Sequence, residues 1–194
     1  KVLGEFPEVG DDTLISPRWI EAAQARTLEP GPRTVLGVDV ARFGSDRSIL
    51  SLVQGPVMRI IGDYSKQRTT ETTGRVIAAK REHMVDEVHV DGVGVGSGVV
   101  DELLELGHDV VDMQSGAAAV DREHFANARA EWWWALRQRF EDGDADIDPA
   151  DDDKRRQEKG CIHDVASGCC GSGPDRESCL RYAAKHMSQW ELDM

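Results

Sequence analysis

The order of hydrophobic patterns along the chain predicts an α/β fold: a mixed sheet that opens with three antiparallel strands, continues with parallel ones and is flanked by helices. Three observations carry this expectation. The apolar, β-branched runs at 34–40, 48–53 and 57–61 are joined by connections short enough to make hairpins, the second of them through Gly55-Pro56. Strand patterns at 87–91 and 109–113 bracket a helical pattern, and a helix crossing between two strands makes them parallel. The longest helix is predicted over 121–141, where Phe125, Ala128, Trp132, Leu136 and Phe140 form one apolar stripe.

The elements between these follow from local chemistry. Residues 1–33 read as a lead-in, with a helix opened by Ser16 at the N-cap and Pro17 at the first helical position. Trp19, Ile20 and Ala23 keep helical spacing, and Glu29-Pro30-Gly31-Pro32 stops the run. A helix over 70–84, with Thr73, Val76, Ile77 and Lys80 on one side, covers the sheet only in part. Gly92 to Gly98 form a glycine-rich loop, after which Val99, Val100, Leu103, Leu104 and Leu106 mark a helix ended by Gly107. Of the three consecutive tryptophans, Trp132 is expected in the core and Trp133 or Trp134 at its flank. Beyond Gly143 the periodicity fades into an acidic run, a basic cluster at 154–156 and a Gly/Ser/Cys stretch, with helical spacing returning only from Leu180 to Trp190. The expected organisation is a lead-in or linker over 1–33, a core over 34–150 and a separate tail over 151–194.

Composition limits the functions available. The 194 residues carry 36 acidic against 23 basic side chains, a formal net charge of −13. Nonspecific affinity for nucleic acid comes mostly from Lys and Arg on phosphates, so any grip on DNA is expected to be local or borrowed. No apolar run is long enough to span a bilayer, and no membrane partner is expected. The chain opens on Lys1 without a signal-peptide pattern and is expected to be a piece of a longer polypeptide. Cys161, Cys169, Cys170 and Cys179 all fall in the tail, without the paired C-x2-C spacing of a zinc knuckle, and are read as free thiols in a reducing cytoplasm.

The chemistry points to two carboxylates. If the fourth strand lies parallel beside the first, Asp39 and Asp91 stand at the carboxyl ends of neighbouring strands, roughly 5 Å apart at the backbone. Two carboxylates that close repel unless a proton or a cation neutralises them. Hard oxygen ligands without nearby Cys or His select Mg²⁺ or Mn²⁺, and a pair of such ions suits phosphodiester cleavage. The glycine-rich loop also invites a nucleotide-binding reading, but neither Gly92-x-Gly94 nor Gly94-x-Gly96 is completed at Ser97 or Val99, and no Gly-Lys-Ser/Thr is present.

At these residues a family resemblance emerges. Val38-Asp39-Val40-Ala41-Arg42-Phe43-Gly44-Ser45-Asp46-Arg47 resembles the first acidic motif of the nuclease domain of phage terminase large subunits, and Asp91-Gly92-Val93-Gly94-Val95-Gly96 resembles the second. Val2-Leu3-Gly4-Glu5-Phe6 and Phe125-x-Asn127-x-Arg129-Ala130-Glu131 are similar to its flanking patterns, so the match covers roughly residues 1–150. The resemblance implies an RNase H-like fold and metal-dependent cleavage of concatemeric double-stranded DNA in the cytoplasm of a bacterial host. It also implies two Mg²⁺ or Mn²⁺ ions, an ATPase domain in the parent polypeptide, and the portal and small terminase subunit as partners. Pro174-Asp175-Arg176-Glu177-Ser178-Cys179-Leu180 is similar to the family's third motif, but Ser178 stands where the metal-binding Asp belongs. Asp175, or Glu177, substitutes only by a shift of register. The implied catalytic and metal-binding set is therefore Asp39, Asp91 and Asp175, with Arg42, Arg47 and Arg129 as a basic rim for DNA. A noncatalytic DNA-guiding or docking module of the same fold is the alternative.

Overall fold

The computed structural model describes residues 13–41 and 46–148. Within them six strands form one sheet in the order β5-β4-β1-β2-β3-β6. The expected hairpins are present: β1 (Val35–Asp39), β2 (Arg47–Gln54) and β3 (Val57–Ser65) run antiparallel. The right-hand half of the prediction also holds, since β4 (Glu87–Val90) is parallel to β1, and β5 (Val111–Asp112) is parallel to β4. Between them lie α2 (Thr69–Glu82) and α3 (Gly96–Glu105), preceded in the chain by α1 (Pro17–Ala25). No helix among the described residues is long and apolar enough to cross a membrane.

Strand alternation divides the core in two. Leu36, Val38, Leu50, Val88 and Val90 pack on one face against Val76 and Ala79 of α2 and Val99, Val100 and Leu103 of α3. On the other face Val53 and Met58 meet Ala23 of α1 and Leu136 and Phe140 of α4 (Ala128–Asp142). Each fully buried large side chain here, Leu136 and Phe140 among them, contributes roughly 1.5–3 kcal/mol by leaving water. The α1 helix starts as expected at Ser16 and Pro17, although the Ser16 side chain makes no capping hydrogen bond.

Two expectations are corrected. The long helix begins at Ala128 rather than near 121: Asn127 caps it by accepting from the Ala130 N–H at 3.0 Å. Glu131, buried on the new helix, accepts from the Val120 and Asp121 N–H groups at 2.8 and 3.0 Å and thereby holds the preceding segment as a loop. Phe125 consequently leaves the helical stripe and leans instead against Trp134, ring centroids 6.5 Å apart. Trp132 is buried, Trp133 is half-buried against the core and Trp134 is exposed, as the three-tryptophan argument requires.

The second correction lies past Gly143, where pattern reading finds no organisation. A short β6 (Asp146–Ile147) pairs parallel with β3 at Val57 and Met58. Acidic residues that look like a solvated run tie this edge down. The buried Asp146 carboxylate accepts from Leu28 N at 2.9 Å and Arg59 Nη2 at 2.6 Å, and Asp148 accepts from Ile60 N at 2.7 Å.

Candidate functional site

The parallel register between β1 and β4 runs from Val35↔Glu87 to Val38↔Val90. One residue further on, Asp91 N donates to Val38 O at 2.9 Å, so Asp39 and Asp91 stand abreast at the carboxyl ends of adjacent strands. Their backbones are therefore about 4.8 Å apart, the spacing of a sheet. Alternation from the buried Val38 and Val90 turns both acids to the α4 side of the sheet, where each is half-buried.

Local packing holds this pair in place. Beyond β1, the buried Ser48 hydroxyl accepts from Ala41 N and donates to Ala41 O, both at 3.0 Å, which fixes the chain leaving Asp39. Beyond β4, Asp91 Oδ1 accepts from Val93 N at 3.1 Å and starts a tight turn. Gly92 and Gly96 of that turn are explained by closeness, and Gly94 by its left-handed φ of 70°. A Cβ on Gly96 would lie 1.6 Å from the Asp91 carbonyl oxygen, and one on Gly92 would lie 1.7 Å from Asp112 Oδ1. Only glycine lets α3 begin directly against the backbone of Asp91.

The neighbours set the electrostatics. Met113 N donates to Val90 O at 2.8 Å, which puts Met113 beside Asp91 in the next strand. Just past it, Arg129 Nη2 donates to Ser115 Oγ at 3.0 Å and Arg129 N to Ser115 O at 3.2 Å, so the predicted rim residue Arg129 reaches the same edge of the sheet. On the other side, Asp39 pairs with Ile49 and Ile49 with Asp63. Arg47 is at that edge too, but its guanidinium is committed to Asp63 in an ion pair and to the Asp63 carbonyl at 3.2 Å. Arg42, Asp175, Glu177, Ser178 and the tail cysteines lie outside the described residues.

Two acids escaped sequence reasoning. Asp63 shares the row of Asp39 across two strands, and Asp112 ends β5 much as Asp39 and Asp91 end theirs. Asp112 aligns with Val90, which turns it to the opposite face, where Gln114 Nε2 donates to both carboxylate oxygens at 2.9 and 2.8 Å. A strand-final acid was the available signal, but its face depends on register. Among the described residues no three His, Cys, Asp or Glu side chains group so as to hold a metal ion. Buried His89, two residues before Asp91, engages Glu87 Oε2 at 3.1 Å through Nε2.

No family model and no curated protein matches the chain. Solved structures do. The nuclease domain of the large terminase subunit gp2 of bacterial virus Sf6 is similar with a TM-score of 0.61 at 19% identity, covering 70% of this chain and 74% of that one. The large terminase nuclease from thermophilic phage G20c is similar with a TM-score of 0.55 at 17% identity, covering 83% and 86%. A form of the G20c nuclease with bound magnesium gives 0.53 at 18% identity, covering 81% and 85%. The mixed sheet flanked by helices is thus the RNase H-like fold found in the nuclease domains of phage large terminase subunits.

Proposed function

We propose that this RNase H-like domain is a metal-dependent endonuclease that cuts concatemeric double-stranded viral DNA during genome packaging, in the cytoplasm of a bacterial host. The observation that carries the reading is the placement of Asp39 and Asp91 side by side at the ends of parallel strands, in a fold shared with terminase nucleases. Paired carboxylate oxygens suit a hard divalent cation. Asp39 and Asp91 would hold it, with Asp175 completing the set for a second ion. Bound Mg²⁺ or Mn²⁺ would activate water and stabilise the leaving oxygen of the cleaved phosphodiester. The chain's own part is to hold the two acids abreast through the sheet, to pin the exits of β1 and β4 with Ser48 and Gly96, and to offer Arg129 to the DNA beside them. Arg42 and Arg47 would extend that rim.

In this reading residues 34–150 form the nuclease core, 1–33 lead in from the ATPase domain of the parent polypeptide with α1 packed onto that core, and 151–194 form an attached tail. The portal and the small terminase subunit are the proposed protein partners. Incubation with supercoiled plasmid and Mn²⁺ tests the reading: nicked and linear products are expected, and a chelator should suppress them. Plasmid left intact by a folded chain that still binds duplex DNA would favour a noncatalytic guiding module, whose third acid is lost at Ser178.

A further inference from the structure

We infer that the turn joining β3 to α2 is a second contact for the phosphate backbone of duplex DNA, made by Lys66, Arg68 and Arg75; the inference rests on the nuclease reading above. The turn lies on the edge of the sheet that carries the two acids. Ser65 at the end of β3 pairs with Arg47 at the start of β2, and Asp63 and Ile49 lead across the same row to Asp39. The start of α2 also leans on the start of α3, with Thr69 Cγ2 3.7 Å from the Cβ position of Gly98, a few residues past the Asp91 turn.

Three cations stand together here without an acidic partner, as Arg18, Arg26, Lys80, Arg81, Arg122 and Arg129 do singly or in pairs elsewhere among the described residues. In a chain of net charge −13, Arg33, Arg47, Arg59, Arg137 and Arg139 each sit in an ion pair. Lys66, Arg68 and Arg75 are exposed, and among the described residues none of the three has a carboxylate within ion-pair distance. The nearby Glu71 carboxylate is spent on the Arg68 backbone N–H, at 2.8 Å, rather than on a cation.

Arg75 is also held in position. Its guanidinium lies 3.9 Å above the Tyr64 ring, and its Nε donates to Gln67 Oε1 at 3.0 Å. That arrangement fixes the plane of the guanidinium and leaves its two terminal nitrogens as an outward fork, the geometry that matches phosphate oxygens. Lys66 beside it adopts a left-handed backbone with φ of 55°, an unusual conformation for a side chain other than glycine, which turns the chain between Tyr64 and Arg68. A solvated surface lysine or arginine needs neither feature.

The test is fluorescence anisotropy of a labelled duplex with the full chain, titrated with salt in the presence of chelator so that nothing is cut. Each of Lys66→Gln, Arg68→Gln and Arg75→Gln should weaken binding about fivefold near 0.15 M salt and flatten the log–log salt slope by about 0.9, and the triple variant should lose on the order of a hundredfold. Arg75→Lys should recover only part of the loss, since a point charge keeps attraction without the fork. Lys66→Gln removes an exposed side chain with no hydrogen bond among the described residues, so its result is read on a folded protein. A triple variant that binds with the parent's affinity and slope, while the parent still nicks plasmid with Mn²⁺, would overturn this inference and leave the nuclease reading standing. A parent chain that neither binds duplex nor cuts it would remove both.

Discussion

At the scale of single residues, the site is a balance between repulsion and placement. Asp39 and Asp91 stand a strand spacing apart, so neutralising one should relieve like-charge repulsion when no cation is present. Asp39→Asn is expected to abolish Mn²⁺-dependent nicking while leaving stability in chelator unchanged or raised by on the order of 1 kcal/mol, read by denaturant unfolding. Cutting at the parent rate would place the site elsewhere. Gly96→Ala sets a methyl group against the Asp91 carbonyl, which cannot move without shifting the acid, so a cost of about 2–3 kcal/mol and loss of nicking are expected. Gly92→Ala meets only the Asp112 carboxylate, the far end of a side chain that can turn with its partner Gln114, and should cost about 1 kcal/mol. Thermal melts of the two variants give the comparison, and equal losses would contradict it.

Glu87 supplies the residue-scale dependence on pH. Burial pushes its carboxyl upward, but hydrogen bonds from His89 and Arg33 and their charges outweigh it and hold the group below its ordinary value of 4.5. A carboxylate depressed in the folded state stabilises fully above the unfolded value and loses that contribution as pH falls through the folded one. Stability should therefore drop below about pH 4.5, and Glu87→Gln should flatten that part of the curve in denaturant unfolding. An unchanged acid limb in the variant would assign the drop to other groups.

At the scale of elements, helix α2 is marginal by composition and secured by packing. Val76 and Ala79 are buried, but Gly74 stands exposed in its interior with nothing within 4 Å of a Cβ. Gly74→Ala should stabilise the protein by about 0.5–1 kcal/mol, because alanine loses less backbone entropy in a helix. A fall in the melting temperature would mean that this surface has a neighbour outside the described residues. Helix α4 makes the contrary point: its apolar stripe was legible from Ala128 to Phe140, yet its start was not. Asn127 and Glu131 compete for backbone N–H groups on either side of the boundary, and such competition leaves no trace in hydrophobic period.

At the scale of the whole molecule, the net charge of −13 opposes DNA. Binding of the isolated chain to duplex DNA is expected to be weak, with the shallow salt dependence of a few phosphate contacts. An anisotropy titration giving nanomolar affinity at physiological salt with a steep slope would contradict this. Weak intrinsic binding suits a cutter attached to a motor that holds the DNA, since attachment raises the local concentration of substrate.

From the sequence alone came the succession of elements up to β5, the antiparallel and parallel halves, and the two strand-end acids, while the placing of β4 beside β1 came from the tertiary structure. Those follow from period-two and period-3.6 burial and from connection length, which are local properties of the chain. The tertiary structure decided what depends on partners far apart in sequence. Asp146 becomes an edge anchor through Leu28 and Arg59, 118 and 87 residues away, and Asp112 is turned from Asp39 and Asp91 by its register with Val90. Arg75 becomes a fixed donor only where the chain folds it over Tyr64. Hydrophobic pattern specifies which residues leave water, whereas hydrogen bonds and ion pairs are chosen by which polar groups the packed elements bring within reach.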